Sequence, residues 1–471
     1  MTRHKILVAT GDVLRPAMAG PAIRAWHIAV ELSREHDVEL ATTGSCSLSH
    51  PAFAVRGVDG TQLADLVAWC DILVFQGNLM RLYPVLRETD KIVVADVYDP
   101  FHLEVLEYTR GRDAAYRQFA LQSSTDVVNE QLMRGDFFLC ASEKQRDFWL
   151  GQLAAVGRVN PFTYDAGENL DRLITVVPFG VDDATPVHTR AALRGVVPGI
   201  GADDRLILWG GGIYNWFDPL TLLRAVEQLR RRMPDVRLYF LGLAHPNPEV
   251  GEMKMATDAL ALSEALGLTG TTVFFNDGWV DYDDRANFLL EADVGVSTHL
   301  DHVETAFSFR TRILDYLWAG LPVVATQGDS LAELIDSEGV GLTVPPGDAE
   351  ALEAALFRLL DDAALAKGVR GNLTRVAETY RWSRVLQPLL EFCRAPQHAP
   401  DLIDPAAAGA IRDPLPRWPR SLRSPLRRNP GGTGVGKADP LARGWQVLRE
   451  RPVRRFAAKA RHRIAELRRP T

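Results

Sequence analysis

The sequence predicts an α/β protein with two doubly wound domains, each a parallel sheet covered by helices. Apolar, β-branched segments alternate with helical patterns from KILVAT at residue 5 to ITVVPFG at residue 174, which is typical of βαβ units. A polar and Gly-rich break at residues 182–204 follows, and the alternation then restarts at LILWGGG. With 471 residues and 46% apolar composition, the chain is long enough to bury two cores.

We therefore assign residues 1–185 to a first Rossmann-like domain and residues 186–380 to a second. No GxGxxG motif follows KILVAT, so the pattern does not indicate a single dinucleotide-binding domain. Ligands of doubly wound sheets bind beyond the carboxyl ends of the strands. The sequence thus predicts a binding site in a central cleft that the two domains face.

Charge is divided unevenly along the chain. Residues 396–471 hold 17 Arg or Lys and 6 Asp or Glu, whereas the preceding 395 residues hold 36 and 54. An acidic body argues against a nucleic-acid partner, which would need a basic face. The four cysteines lack CxxC spacing, so we expect buried, reduced thiols. No apolar run is long enough for a membrane span or a signal peptide, and we expect a soluble, cytoplasmic protein.

The C-terminal segment has a composition of its own. Residues 396–440 contain nine prolines and little apolar periodicity, which predicts a disordered linker rich in Pro, Gly and Arg. Residues 441–471 regain a helical spacing, with Trp445 and Phe456 among many arginines. A basic amphipathic helix is typical of binding to an anionic membrane surface, but a solvated tail without a partner would show the same charge pattern.

A glycine-rich turn follows the first strand of the second domain. The strand LILW delivers Gly210, Gly211 and Gly212, and Asp218 and Pro219 then provide the N-cap and first turn of a helix. Glycines let backbone amides approach a ligand closely, and a diphosphate fits such a turn. A tight connection without a ligand is the alternative interpretation.

The segment SFRTRILDYLWAGLPVVAT, residues 308–326, predicts one helix followed by a strand. Gly320 is a suitable C-cap and Pro322 prevents the helix from continuing. Backbone amides near Thr305 to Phe309, including those of Ser308 and Phe309, would then face the cleft at the positive end of the helix dipole. We expect these amides to contribute to binding an anionic ligand.

Charged residues on this predicted helix indicate an anionic ligand. Arg310 and Arg312 lie in the first turns, where positive charge opposes the helix dipole unless an anion compensates. Asp315 lies three residues after Arg312. It either forms an ion pair with that arginine within the helix or accepts hydrogen bonds from ribose hydroxyls.

Several segments, in their order and spacing, resemble glycosyltransferase family 4, a group of GT-B glycosyltransferases. Between residues 5 and 394 they are the turn at Gly20 and Pro21, ASEKQRDFWLG, VVPFGVD, FFNDGWV, LLEADVGVS, DYLWAGLPVVAT and GLTVPPGDAEAL. The resemblance implies a GT-B fold and a sugar transfer that retains anomeric configuration and needs neither metal nor cofactor. The nucleotide-diphosphate donor would bind mainly to the second domain and the acceptor to the first, beside Gly20 and Pro21. Residues 381–395 would form a helix that crosses back to the first domain.

The family motif contains two glutamates eight positions apart, and this chain departs from it at both. Asp315 stands at the second position, where its shorter carboxylate can still reach ribose hydroxyls. The first position aligns with Phe307, and the nearest acid is Glu304. Glu304 is therefore a catalytic candidate that would serve the sugar hydroxyls, unless it is simply a loop acid.

Two further departures concern charge in the cleft. The glycine turn lacks the basic pair that the family often places there for the diphosphate, and Arg310 and Arg312 would replace it, because guanidinium groups bind diphosphates well. The family's cleft histidine aligns with Tyr98, and His102 lies four residues further on. Tyr98, His102 and the neighbouring acid Asp99 are accordingly catalytic candidates, with Tyr98 or His102 in place of the histidine.

These expectations converge on a glycosyltransferase that moves a sugar from a nucleotide diphosphate to a glycan or lipid-linked acceptor. It would act in bacterial surface polysaccharide or glycolipid synthesis, as a peripheral protein at the inner face of the plasma membrane, with residues 441–471 as its anchor. A catalytically silent scaffold that acts through its tail is one alternative, supported by the missing basic pair. A second keeps the nucleotide sugar but changes the reaction to epimerisation or phosphorolysis.

Overall fold

The computed structural model describes residues 2–248 and 250–407. The first domain contains seven parallel strands, which are β1 (Lys5–Thr10), β2 (Asp37–Thr42), β3 (Ala54–Gly57), β4 (Ile72–Gln76), β5 (Ile92–Asp96), β6 (Phe137–Cys140) and β7 (Ile174–Val176). Their order in the sheet is β3-β2-β1-β4-β5-β6-β7. Strand β4 is buried at every position, because helices cover both faces of a parallel sheet.

Eight helices accompany this sheet: α1 (Gly20–Ser33), α2 (Gly60–Trp69), α3 (Leu79–Leu82), α4 (Val85–Glu88), α5 (Phe101–Tyr108), α6 (Ala114–Arg134), α7 (Glu143–Ala155) and α8 (Pro161–Ala166). Local sequence explains several starts, since Ser142 caps α7 through the amide of Gln145 and Pro21 occupies the first turn of α1. The core between sheet and helices includes Leu7, Leu73, Phe75, Phe138 and Trp149.

The second domain repeats the plan with six parallel strands, which are β8 (Arg205–Trp209), β9 (Val236–Phe240), β10 (Val273–Phe275), β11 (Val294–Ser297), β12 (Val323–Thr326) and β13 (Gly341–Val344). Their order is β10-β9-β8-β11-β12-β13. The helices are α9 (Pro219–Arg232), α10 (Lys254–Ala265), α11 (Arg285–Glu291), α12 (Val303–Phe307), α13 (Arg312–Trp318), α14 (Ser330–Glu338), α15 (Ala349–Asp361) and α16 (Ala363–Thr379). The predicted fold of two doubly wound α/β domains is confirmed.

Each sheet has a point at which the direction of strand addition reverses. In the first sheet it lies between β1 and β4, and in the second between β8 and β11. The ladder between β8 and β11 runs only to the pair Leu208 and Gly295. A crevice at the carboxyl ends of such strands is the usual ligand site of doubly wound sheets.

The chain then returns to the first domain through α17 (Trp382–Val385) and α18 (Gln387–Arg394). The ring of Trp382 stacks on His27 of α1 with centroids 4.8 Å apart. Phe392 stacks on Phe137 at 4.3 Å. The crossing segment is therefore attached to the first domain by aromatic stacking at both of its helices.

The prediction of disorder from residue 396 is wrong for residues 396–407. Helix α19 (Pro400–Ile403) forms there, and Asp401 pairs with Arg158 at 2.7 Å, both side chains being fully buried. Pro400 does not oppose this helix, since proline is suited to its first position. Residues 408–471, which include the rest of the predicted linker and the predicted basic helix at 441–471, lie outside the described residues.

Two other expectations concern the chain as a whole. Cys70, Cys140 and Cys393 are buried free thiols, and Cys46 is a half-buried one. Within the described part of the chain, no helix combines the length and the apolar character that crossing a membrane requires.

Candidate active site

The three glycines after β8 form a bend at the point where the second sheet reverses. The amide of Gly210 donates to the hydroxyl of Tyr316 at 2.7 Å. Gly211 has a φ of +79°, and no atom lies within 4 Å of the position that a Cβ would take there. A left-handed residue in open space favours glycine. The middle of the bend therefore faces free space, while its first amide is already bonded.

Arg312 contacts the other end of this bend. Its Nη2 donates to the carbonyl oxygen of Gly212 at 2.8 Å, and its guanidinium lies over the rings of Trp209 and Phe217, at 4.3 and 4.0 Å. Its Nη1 is buried without a hydrogen-bond partner in the described residues. Burial lowers the pKa of Arg312 to about 10, with a smaller contribution from Arg310. The side chain thus carries a desolvated positive charge with one free donor group, which is suited to an anionic ligand.

Arg310 is also turned inwards, but it already has an anionic partner. Its two terminal nitrogens donate to Glu304 at 2.9 and 2.7 Å. Its Nε lies 3.8 Å from Asp329 and makes no hydrogen bond to a described residue. Sequence reasoning treated Arg310 as a donor-binding residue and Glu304 as a sugar-binding or loop acid, and it did not anticipate that the two side chains bind each other.

The helix predicted to begin at Ser308 begins later in the chain, and a separate short helix precedes Ser308. Helix α12 ends at Phe307, and α13 begins only at Arg312. The Ser308 hydroxyl donates to the Thr305 carbonyl and the Phe307 carbonyl accepts from Gln145, so side chains take over carbonyls that a continuing helix would use. The predicted helix start at Ser308 and Phe309 is therefore wrong. The predicted end is confirmed, because Gly320 has a φ of +64°.

Asp315 does not pair with Arg312. Its carboxylate accepts from Arg285 of α11 at 3.0 Å, and the same guanidinium reaches Asp182 at 2.6 Å. The predicted ion pair between Asp315 and Arg312 within the helix is therefore wrong. The side chain of Asp315 remains 37% exposed, and this open face leaves the ribose interpretation untested. Arg285 was missed, because nothing in the run VDYDDR distinguishes it from a surface arginine.

The first domain contributes Tyr98 and the start of α1. The ring of Tyr98 lies under the guanidinium of Arg24, 4.7 Å from its centroid. A Cβ at Gly20 would stand 3.9 Å from the Tyr98 hydroxyl. The carbonyl of Pro21 accepts from Gln76 at 2.5 Å, which ties the start of α1 to the end of β4. Tyr98, Gly20 and Pro21 are thus brought together near the reversal point of the first sheet.

Asp99 and Glu104 add carboxyl groups to the cleft. Burial and the nearby Glu304 raise the pKa of Asp99 to about 7, while Arg310 opposes them. Burial, followed by Asp99 and Glu304, raises the pKa of Glu104 well above its ordinary value. Both groups therefore lie close enough to the second domain to sense its charges. Glu104 was not predicted, since an acid in the first turn of a helix is common on surfaces.

His102, in contrast, is packed among aromatic rings of the first domain. It stacks on Phe148 at 5.6 Å and lies 5.7 Å from Trp149. Its Nδ1 is buried and lacks a partner in the part of the chain that the structure describes. Burial lowers the pKa of His102 to about 4, so its ring is neutral near pH 7. This packing does not resemble that of a residue placed to bind sugar hydroxyls.

Gln145 connects the two domains across the cleft. Its Nε2 donates to the carbonyls of Tyr98 and Phe307, each at 2.8 Å. Phe307 also packs on Phe148 of α7, with ring centroids 4.6 Å apart. These contacts place the loop that carries Asp99 against the helix that carries Glu304.

A second set of contacts between the domains lies at the loops after β1, β9 and β10. Asp12 accepts from the side chain of Asn247 at 3.0 Å, and the indole nitrogen of Trp279 donates to the carbonyl of Met18 at 3.0 Å. Burial raises the pKa of Asp12, and His245 opposes this shift. Sequence reasoning missed Asp12 and Trp279, although both follow a predicted strand by a few residues.

Comparison with known proteins agrees with this architecture. Residues 204–362 match the family model described as glycosyl transferases group 1. This match lies within the second domain. A D-inositol 3-phosphate glycosyltransferase of Saccharomonospora viridis is 32% identical over 237 residues, which are 49% of this chain and 51% of that relative. The chain thus spans about half the length of the curated relatives it matches.

Solved structures extend the likeness over both domains of this GT-B chain. Sucrose-phosphate synthase from Thermosynechococcus elongatus superposes with a TM-score of 0.61 at 17% identity, covering 83% of this chain and 98% of the other. Anabaena HepE in complex with UDP and glucose superposes with a TM-score of 0.60 at 16% identity, covering 83% and 100%. At these identities the likeness shows the fold, and the predicted GT-B fold is confirmed.

Proposed function

We propose that this protein transfers a sugar from a nucleotide diphosphate to a glycan or lipid-linked acceptor, with retention of anomeric configuration. The observation that carries the proposal is the glycine bend at the reversal point of the second sheet. There, Gly211 faces free space and a desolvated Arg312 has one free donor group. Backbone amides and a guanidinium around an open bend are the groups that bind a diphosphate.

Arg312 and Arg310 supply positive charge to the departing diphosphate in this proposal. The charge that builds up on the leaving oxygens is stabilised most strongly in a site from which water is excluded, and both guanidinium groups are nearly inaccessible to water. This is also why we propose that no metal is required. Among residues 2–248 and 250–407, no group of three His, Cys, Asp or Glu side chains is arranged to hold a metal ion.

The acceptor would enter from the first domain, beside Gly20, Pro21 and Tyr98. In a retaining transfer, the acceptor hydroxyl attacks the face of the anomeric carbon from which the diphosphate leaves, and a donor phosphate oxygen takes the proton. The protein then mainly positions the reactants. In this proposal Asp99, whose pKa is raised, binds the acceptor hydroxyl, and the open face of Asp315 binds the donor ribose.

Two relatives support the substrate class. The Saccharomonospora viridis relative is named for transfer to inositol 3-phosphate, and the HepE structure contains UDP and glucose. We propose a role in bacterial surface polysaccharide or glycolipid synthesis at the inner face of the plasma membrane. The basic sequence of residues 441–471 supports this location.

One observation favours a catalytically silent scaffold as a second candidate. Glu304 already neutralises Arg310, which leaves Arg312 as the main source of charge for a diphosphate. Thermal shift with UDP, GDP, dTDP and ADP separates the two functions. The transferase requires that at least one nucleotide raises the melting temperature, and the scaffold requires that none does. Product analysis with the labelled sugar nucleotide and no acceptor then distinguishes transfer from epimerisation.

A further inference from the structure

Tyr316 is a fully buried residue of α13 that lies at the reversal point of the second sheet. Two glycines make room for its ring. A Cβ at Gly295 would stand 2.5 Å from the ring, and a Cβ at Gly210 would stand 3.2 Å from the ring and its hydroxyl. Gly295 belongs to β11 and Gly210 follows β8, so the tyrosine occupies the position where these two strands stop pairing.

The hydroxyl of Tyr316 replaces the missing strand contacts. It accepts from the amide of Gly210 at 2.7 Å and lies within donating distance of two carbonyls, Leu208 at 3.0 Å and Val296 at 2.9 Å. A hydroxyl has one proton, so it donates to one of them at a time. Burial raises the pKa of Tyr316 to about 12, and the group therefore keeps its proton at neutral pH.

The same helix also holds the other end of the glycine bend. Arg312 precedes Tyr316 by one helical turn, and its guanidinium donates to the carbonyl of Gly212. The bend is thus fixed at Gly210 by one side chain of α13 and at Gly212 by another. Gly211, between them, makes no close contact that a Cβ would disturb.

We propose that Tyr316 is a positioning residue for donor binding, whose hydroxyl fixes the glycine bend so that Gly211 faces the donor's diphosphate. This inference rests on the proposed function, because it assumes that a diphosphate binds at the bend. It assigns to Tyr316 an effect on the phosphates alone, since the hydroxyl acts through the Gly210 amide and not on the base or the ribose.

Tyr316→Phe tests the inference, because it removes the hydroxyl and keeps the ring. The probes are the tightest binder among UDP, GDP, dTDP and ADP and the nucleoside of the same base, measured by calorimetry below the melting temperature of every variant. We expect the dissociation constant of the diphosphate to rise about tenfold, as for the loss of one buried hydrogen bond. The dissociation constant of the nucleoside should change less than about twofold, since the nucleoside has no phosphates that could contact the bend.

Tyr239→Phe is the matched control, because Tyr239 is a buried tyrosine of β9 whose ring packs on Phe288. Gly211→Ala is a second test variant. It strains the bend directly, because alanine disfavours a φ of +79°. It should therefore weaken binding of the diphosphate more than binding of the nucleoside.

The possible results separate the two proposals. Suppose that the wild-type protein binds a nucleoside diphosphate, but that Tyr316→Phe raises the dissociation constants of diphosphate and nucleoside equally, or changes neither. The positioning role is then overturned, and the proposed function stands. If the wild-type protein binds none of the four diphosphates, both proposals are overturned.

Discussion

Arg310 and Glu304 form a buried ion pair with two hydrogen bonds, of 2.9 and 2.7 Å. Their side chains are 4% and 1% exposed. Both residues belong to the segment between β11 and α13, so the pair holds the non-helical stretch after α12 in a single conformation. A buried pair of this kind stabilises little by itself, but the loss of one partner leaves an uncompensated charge.

Glu304→Gln should therefore lower the free energy of unfolding by about 3 kcal/mol, because the buried Arg310 charge would keep only its 3.8 Å contact with Asp329. The measurement is urea unfolding followed by circular dichroism. Glu333→Gln is the matched control, since Glu333 pairs with Lys144 on the surface and is 67% exposed, and it should cost less than about 1 kcal/mol. Equal decreases in the free energy of unfolding of the two variants would show that loss of the buried partner costs no more than loss of the surface partner.

Arg312→Ala should weaken nucleoside diphosphate binding by roughly tenfold to a hundredfold, since one or two charge-assisted hydrogen bonds are lost. Calorimetric titration with the best nucleotide of the panel measures this. Arg224→Ala on the exposed face of α9 removes an equal charge from the same domain and should leave affinity unchanged. Unchanged affinity in Arg312→Ala would place the diphosphate elsewhere.

Asp99 should make stability depend on pH. Its folded pKa of about 7 lies above the ordinary value of 3.8, so the folded state holds a proton that the unfolded chain releases. The stabilising contribution is complete below about pH 4 and is lost as the pH rises to about 7. The unfolding free energy of the wild type minus that of Asp99→Asn should therefore fall between pH 4.5 and about 7 and then level off. Asp65→Asn, on an exposed face of α2, is the control variant.

His102 should prove dispensable for catalysis. Its ring lies among Phe148 and Trp149, and burial lowers its pKa from 6.5 to about 4. The free energy of unfolding of the wild type therefore falls as the pH drops from about 6.5 to 4. The decrease in His102→Phe should be smaller, by on the order of 2 kcal/mol. The kcat of His102→Phe should stay within a few-fold of the wild-type value at pH 7.5. A loss of a hundredfold or more would return His102 to the catalytic residues.

Residues 396–407 should be required for the stability of the first domain. A chain that ends at residue 407 keeps the pair between Asp401 and Arg158 and is the reference for the comparison. A chain that ends at residue 395 leaves Arg158 buried and alone, and should lose about 3–5 kcal/mol. Asp401→Ala in the full chain should reproduce most of this loss, and a melting temperature unaffected by it would contradict the structure.

Local signals explain most of what the sequence predicted correctly. The alternation of apolar strands and helices revealed both sheets, because each βαβ unit carries its own periodicity. Asp218 caps α9 with Pro219 in the first turn, and Gly320 ends α13 in a left-handed conformation. Each of these features depends on residues within one or two turns of each other.

The features that were missed depend on residues far apart in sequence. Asp315 binds Arg285, thirty positions away, and not its helical neighbour Arg312. The break after Phe307 depends on Gln145 from the other domain. Tyr316 looked like one more apolar residue of a helix, and only the sheet geometry shows that its hydroxyl meets Gly210. Neither propensity nor spacing carries information of this kind.

The bridging amide of Gln145 sets a condition on how a donor enters. Its side-chain oxygen accepts from the amide of Ala141, and its nitrogen donates to one carbonyl from each domain. The two N–H groups of the amide are therefore both used, and the nitrogen cannot donate to a third partner. Any separation of the two halves must first break the bond to Phe307 and let water reach both atoms. Any opening of the cleft between the two domains and the hydration of this single carboxamide are therefore one event.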